Sequence, residues 1–156
     1  MASITHMIEI ATPAAAAWDA VRDVGALHQR LAPGLVIDCT LVADAVPAAR
    51  VVRFADGMVL HETIVACDEP SRRLVWTITD AMVDHHNGSL QVFAIDTENC
   101  RVVWTADVLP DSLVAPFGTL MAAGLEIMAA TLANSARGQC VRVELCPSSV
   151  TLSPQG

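Results

Sequence analysis

Between Leu35 and Leu109 the chain repeats one pattern, short runs of β-prone residues separated by polar turns. That pattern belongs to an antiparallel meander, because a parallel sheet would need a helical segment between successive strands. The runs are Leu35 to Val42, Arg50 to Phe54, Met58 to Cys67, Arg72 to Thr79, His85 to Ile95 and Arg101 to Leu109. Asp56-Gly57 and Asp68-Glu69-Pro70-Ser71 mark tight connections, and Asp96 to Cys100 joins the last two runs as a hairpin. Asn87-Gly88 has the composition of a two-residue turn as well, which would instead start that strand at Ser89.

The flanks add one strand and three helical segments. Ser3 to Ile10 alternates as a strand, and Thr12-Pro13 caps a helix over Ala14 to Val24 that carries Trp18 and Val21 at helical spacing. Gly25 ends it, and Ala26 to Leu31 forms a second short piece. After the meander, apolar residues from Leu113 to Leu132 recur at three and four positions, which predicts a helix over Asp111 to Arg137 with Gly138 as its C-cap. Pro116 lies near its start. This order predicts an α+β fold in which a curved seven-stranded antiparallel sheet wraps the long C-terminal helix and two short helices close one end. Residues 1–137 make that domain, and 138–156, rich in Ser and Pro, are expected as a flexible or loosely docked tail. One helix cannot fill the concavity of such a sheet, so a cavity follows.

Composition narrows the function. Seventeen acidic residues against nine basic ones give a net charge of −8, which leaves no basic footprint for phosphate backbones or anionic lipid. Every basic residue is arginine, so lysine Schiff-base chemistry and a P-loop lysine are absent. The longest uncharged stretch, Ser112 to Leu125, is short for a bilayer span, and no basic n-region opens the sequence. Membrane insertion is therefore not expected, and a cytoplasmic location is. Cys39, Cys67, Cys100, Cys140 and Cys146 form an odd set without a CxxC pair. Reduced thiols fit this better than disulfides or a zinc ribbon. His61-Glu62 starts an HExxH string, but Val65 breaks it, so no metal site is expected there. Gly-rich nucleotide loops and a Gly-x-Ser-x-Gly elbow are also missing, and no cofactor is expected.

Four strings resemble one family: Trp18-Asp-Ala-Val-Arg-Asp-Val-Gly-Ala-Leu-His28, Arg72-Arg-Leu-Val-Trp76, His85-His-Asn-Gly-Ser-Leu-Gln-Val-Phe93 and Val103-Trp-Thr-Ala-Asp-Val-Leu-Pro-Asp111. They are similar to the START-like (SRPBCC) superfamily, in its polyketide cyclase/dehydrase branch. The resemblance implies a helix-grip fold with an apolar cavity between sheet and helix. Members include lipid carriers, hormone receptors and aromatic cyclases, so it implies a pocket more firmly than a reaction.

In the simplest register of the last hairpin, Val92 pairs with Trp104 and Leu90 with Ala106, so even-numbered residues share a face. That face is the more apolar, which turns His86, Leu90, Val92, Trp104, Ala106 and Val108 inward. On the Met58 to Cys67 run both faces are partly apolar, and periodicity does not choose between them. By resemblance to the abscisic-acid receptors, whose cavity glutamate lies a similar distance before an acidic turn, Glu62 points inward. Glu62 and His86 are then the candidate catalytic pair, because cyclisation or dehydration removes a proton beside a carbonyl and delivers one to oxygen. The plain alternative has Glu62 paired with Arg53 or Arg73, and His86 as a core or rim histidine. The expected ligand-binding wall is Met58, Leu60, Glu62, Trp76, His86, Leu90, Trp104, Phe117, Met121, Leu125 and Met128.

Three functions follow. The first is binding of a small hydrophobic or polyketide-like ligand in the cavity. The second is a cofactor-independent cyclase or dehydratase in the same cavity, using Glu62 and His86. The third is a ligand-free regulatory or assembly module. A homodimer is compatible with the sequence, but no stripe identifies its interface.

Overall fold

The computed structural model describes residues 2–143. Its strands are β1 (Ala2–Ile10), β2 (Val36–Leu41), β3 (Ala49–Phe54), β4 (Val59–Asp68), β5 (Arg73–Ile78), β6 (His85–Ala94) and β7 (Cys100–Leu109). They form one antiparallel sheet in the order β1-β7-β6-β5-β4-β3-β2. Only β1 is out of sequence, crossing the sheet to lie beside β7. Register shifts at Val36/Asp38 on β2 and Ile64/Ala66 on β4 insert extra residues, and such bulges bend a sheet.

Helix α1 (Ala14–Arg22) and a π-helical turn (Leu27–Leu31) close one end. The Trp18 indole N–H donates to Glu69 Oε2 at 2.7 Å, which fastens α1 to the turn between β4 and β5. A 3₁₀ turn (Asp111–Leu113) leads into α2 (Val114–Val143). Pro116 sits in the first turn of α2, where its missing N–H would have had no helical partner. The helix runs through Gly138 instead of stopping there, so the first residues of the expected tail are helical. The rest of that tail, 144–156, lies outside the described residues.

Along its length and composition α2 would pass as a membrane span, with a mean hydropathy of 1.6 in its most apolar window. Leucine, isoleucine, valine and methionine supply most of that value, and of the large apolar side chains Phe117, Met121, Leu125, Met128 and Leu132 are buried against the sheet. A core helix accounts for its character.

The last hairpin differs from the expected register. Leu90 pairs with Trp104 and Val92 with Val102, two residues away from the simplest pairing. The cause is the loop: Asp96 Oδ1 accepts the amides of Glu98 and Asn99, and the Asn99 carbonyl accepts the Ile95 amide. This Asx turn lets Ala94 and Cys100 pair directly. A shift of two preserves parity, so His86, Leu90, Val92, Ala106 and Val108 are buried as expected while His85 is exposed. Asn87-Gly88 is strand, not turn. Gly88 is there because a Cβ would lie 2.9 Å from Cε2 of Trp76 and from Cε1 of His86. Cys39 and Cys100 are buried free thiols, and Cys67 is exposed.

Candidate functional site

The core is in two halves. One joins α1 and Leu31 to Leu74, Trp76, Leu90 and Met128, and the other joins Val36, Phe54, Leu60 and Ile78 to Phe117 and Met121. Leu27 and Trp104 pack against both. Between the halves lies a cavity of about 60 Å³, bounded by the sheet, the π-helical turn and α2. Its wall includes Leu60, Glu62, Trp76, His86, Leu90, Trp104, Phe117, Met121 and Met128.

Two expected wall residues are elsewhere. Met58 lies in the turn before β4, its amide donating to Asp56 Oδ1 and its carbonyl accepting from Phe54. Leu125 is buried in the core, about 100° around α2 from the lining residue Gly124.

Glu62 does face inward, with Leu60 and Ile64 beside it on the buried side of β4. Its partner is neither Arg53 nor Arg73. It is Arg50, whose Nε donates to Glu62 Oε2 at 2.7 Å; the two side chains are 4% and 7% exposed. The inward carboxylate is thus half of a buried ion pair. Arg50 Nη1 also donates to the Val24 carbonyl at 3.1 Å, and the guanidinium carbon lies 5.9 Å from the centre of the Trp76 ring. Burial of two charges needs this completeness, because each must recover inside what it loses from water. Arg50 was not among the candidate residues, although a signal for it was present. Its strand alternates Arg50, Val52 and Phe54 on one face, and Arg50 is the direct cross-strand partner of Glu62.

His86 is 5% exposed. The ladder between β5 and β6 ends at Trp76 and Gly88. Beyond it side chains replace the missing backbone pairing: His86 Nδ1 accepts the Ile78 amide at 3.2 Å, and the His86 backbone carbonyl accepts the Thr77 hydroxyl at 2.6 Å. An accepting Nδ1 assigns the ring proton to Nε2. Burial, helped by the neighbouring His85 and opposed by Asp107, pushes the pKa of His86 down to about 4. The imidazole is therefore neutral near pH 7, a hydrogen-bond donor and not a cation. Its ring lies 5.7 Å from that of Phe117 and 6.5 Å from that of Trp76. Glu62 and His86 flank Ile78 from strands on either side, since Glu62 is the cross-strand partner of Ile78 and His86 holds its amide.

No group of histidine, cysteine and carboxylate side chains suited to a metal ion occurs among the described residues.

A fold of this kind is found in many solved structures. An uncharacterised protein from Bacillus thuringiensis superposes with a TM-score of 0.74 at 16% identity, covering 84% of this chain and 98% of the other. A protein from Thermobifida fusca reaches a TM-score of 0.70 at 29% identity over 87% of this chain and 93% of its own. Norcoclaurine synthase from Thalictrum flavum gives a TM-score of 0.66 at 18% identity over 86% and 85% of the two chains. A search of curated proteins finds no match. The sequence itself matches the family described as polyketide cyclase / dehydrase and lipid transport across residues 1–137, the sheet, the cavity wall and most of α2, and the chain belongs to that family.

Proposed function

We propose that the chain binds a small hydrophobic ligand, of polyketide-like or lipid-like character, in the cavity between the sheet and α2. The observation that carries this reading is an apolar chamber with a few polar groups, Arg50, Glu62 and His86, set in its wall. Such sites take ligand volume from the apolar lining and orientation from the few polar groups. The cavity is small, below the roughly 150 Å³ that accepts a benzene-sized guest. A larger ligand therefore needs a wall that yields. The π-helical turn Leu27–Leu31 is the candidate, since it supplies Leu27 and Leu31 to the wall and π-helical backbone is a frequent mark of functional segments. Met121 and Met128 add side chains that repack readily.

Native mass spectrometry of freshly purified protein, followed by organic extraction, tests this. The expected result is an apolar molecule bound one to one, and its loss in Ala106→Leu, which fills the chamber from β7. An unliganded mass that stays unliganded after incubation with a lipid extract of the host contradicts it.

A second reading, a cofactor-independent cyclase or dehydratase, is favoured by the protonation of His86. A neutral imidazole with its proton on Nε2 can donate to a carbonyl oxygen as that oxygen becomes an alkoxide. Glu62, with Oε2 held by Arg50, keeps Oε1 to take the proton beside a second carbonyl. The enolate carbon attacks the polarised carbonyl carbon and the alkoxide formed takes the proton held by Glu62; Glu62 then removes the remaining α-hydrogen and returns it to the departing hydroxide, so that one water leaves and both residues are restored. On this reading Glu62→Gln and His86→Ala each abolish turnover of a poly-β-ketone; unchanged turnover in either variant rejects it.

A further inference from the structure

Most polar groups in the wall have partners inside the protein. Arg50 has Glu62 and the Val24 carbonyl, and His86 Nδ1 has the Ile78 amide. Trp104 differs. Its indole Nε1 is sealed from solvent and has no acceptor, a condition shared among the described residues only by His28 Nδ1. His28 does not line the cavity, whereas Trp104 does. Buried indole N–H groups ordinarily find a partner, and one left unpaired asks for an explanation.

The ring is fixed in a definite orientation. A Cβ at Gly124 would lie 3.0 Å from Trp104 Cζ3 and 3.7 Å from Cη2, so the benzene edge of the indole rests against α2 where glycine leaves room. Cζ3 is para to the carbon that bears Nε1. The N–H therefore points away from the helix. On another side the ring packs against Trp76, with centroids 5.9 Å apart. Trp104 also touches both halves of the core, so whatever enters between them meets this residue.

We propose that Trp104 determines specificity in the cavity, its indole N–H donating to a carbonyl or enolate oxygen of the ligand. A hydrocarbon of the same shape would leave the donor unpaired and be disfavoured for that reason. This gives Trp104 a polar role where its sequence context suggested only apolar wall, and it rests on the ligand-binding reading above.

The test uses acetophenone and ethylbenzene, which share a shape and differ in a carbonyl against a methylene. Binding is followed by two-dimensional NMR of the indole N–H groups and of the methionine methyls. Three tryptophans give three indole signals, and the one missing in Trp104→Phe is assigned to Trp104. Acetophenone is expected to move that signal downfield and ethylbenzene is not. The ratio of acetophenone to ethylbenzene affinity is expected to fall about tenfold in Trp104→Phe, a difference of about 1.4 kcal/mol. An unmoved Trp104 signal while the Met121 and Met128 methyls respond to acetophenone overturns the inference and leaves the ligand-binding reading standing. An unchanged affinity ratio in Trp104→Phe does the same. If neither probe moves those methyls, the ligand-binding reading fails and this inference with it. The wild-type indole signal decides the matter even if the variant does not fold.

Discussion

Arg50 and Glu62 show what a buried charge demands of its surroundings. Removing one member strands the other, so Arg50→Met alone is expected to cost about 3–5 kcal/mol in urea denaturation. Arg50→Met together with Glu62→Leu should recover most of that loss, since an apolar pair of similar volume needs no desolvation. His86 makes the pH dependence specific. Its unfolded pKa lies near 6.5 and its folded pKa at about 4, so the unfolded chain binds the proton first as pH falls. The stability it contributes is complete above pH 6.5 and is lost between 6.5 and 4, by as much as about 3 kcal/mol. Urea midpoints at pH 7 and pH 4.5 should therefore differ less in His86→Phe than in the parent chain. Gly88→Ala is expected to destabilise by about 1–3 kcal/mol, because the new methyl would lie 2.9 Å from atoms of both the Trp76 and the His86 rings and would force both from their present positions. The inward turn of His86 was legible from alternation alone. The identity of Glu62's partner needed one further step, carrying the register of the Asp56-Gly57 turn along β3 and β4 to Arg50, which separates it from Arg53 and Arg73.

The strands were legible as elements because each is a β-prone run between turn residues, and turn chemistry fixed most hairpins. The β3–β4 hairpin illustrates how far that reaches. Closing it through Asp56 and Gly57 places Phe54 beside Met58 and, four residues further along each strand, Arg50 beside Glu62. The β6–β7 hairpin shows the limit, since the Asp96 turn centres its loop one residue earlier than a count of polar residues suggests. Gly138 misled for a similar reason: glycine favours a helix end but does not enforce one, and α2 continues past it. Gly124 sits in mid-helix, where alanine would gain up to about 1 kcal/mol of helical stability. Gly124→Ala should nevertheless weaken ligand binding, because its Cβ drives the Trp104 ring into the cavity. Calorimetric titration with acetophenone beside a thermal melt checks both halves, and an unchanged affinity would contradict the placement of Trp104 against α2.

For the whole molecule, a bent sheet and one long helix leave a core in two halves with a small chamber between them. The existence of that chamber follows from element order, because a single helical face cannot occupy the full concavity of seven strands. Its size does not follow, since it depends on how Trp76, Trp104 and the π-helical turn fill the space. Whether the chamber admits a ligand is the claim on which the functional account depends. The methionines provide a direct reading of it. Met121 and Met128 line the cavity, whereas Met7 and Met82 are 61% and 46% exposed elsewhere. In protein labelled with ¹³C at the methionine methyls, titration with acetophenone is predicted to shift Met121 and Met128 saturably and to leave Met7 and Met82 in place. Saturating shifts at Met7 or Met82 with none at Met121 and Met128 would put binding on the surface and contradict the account.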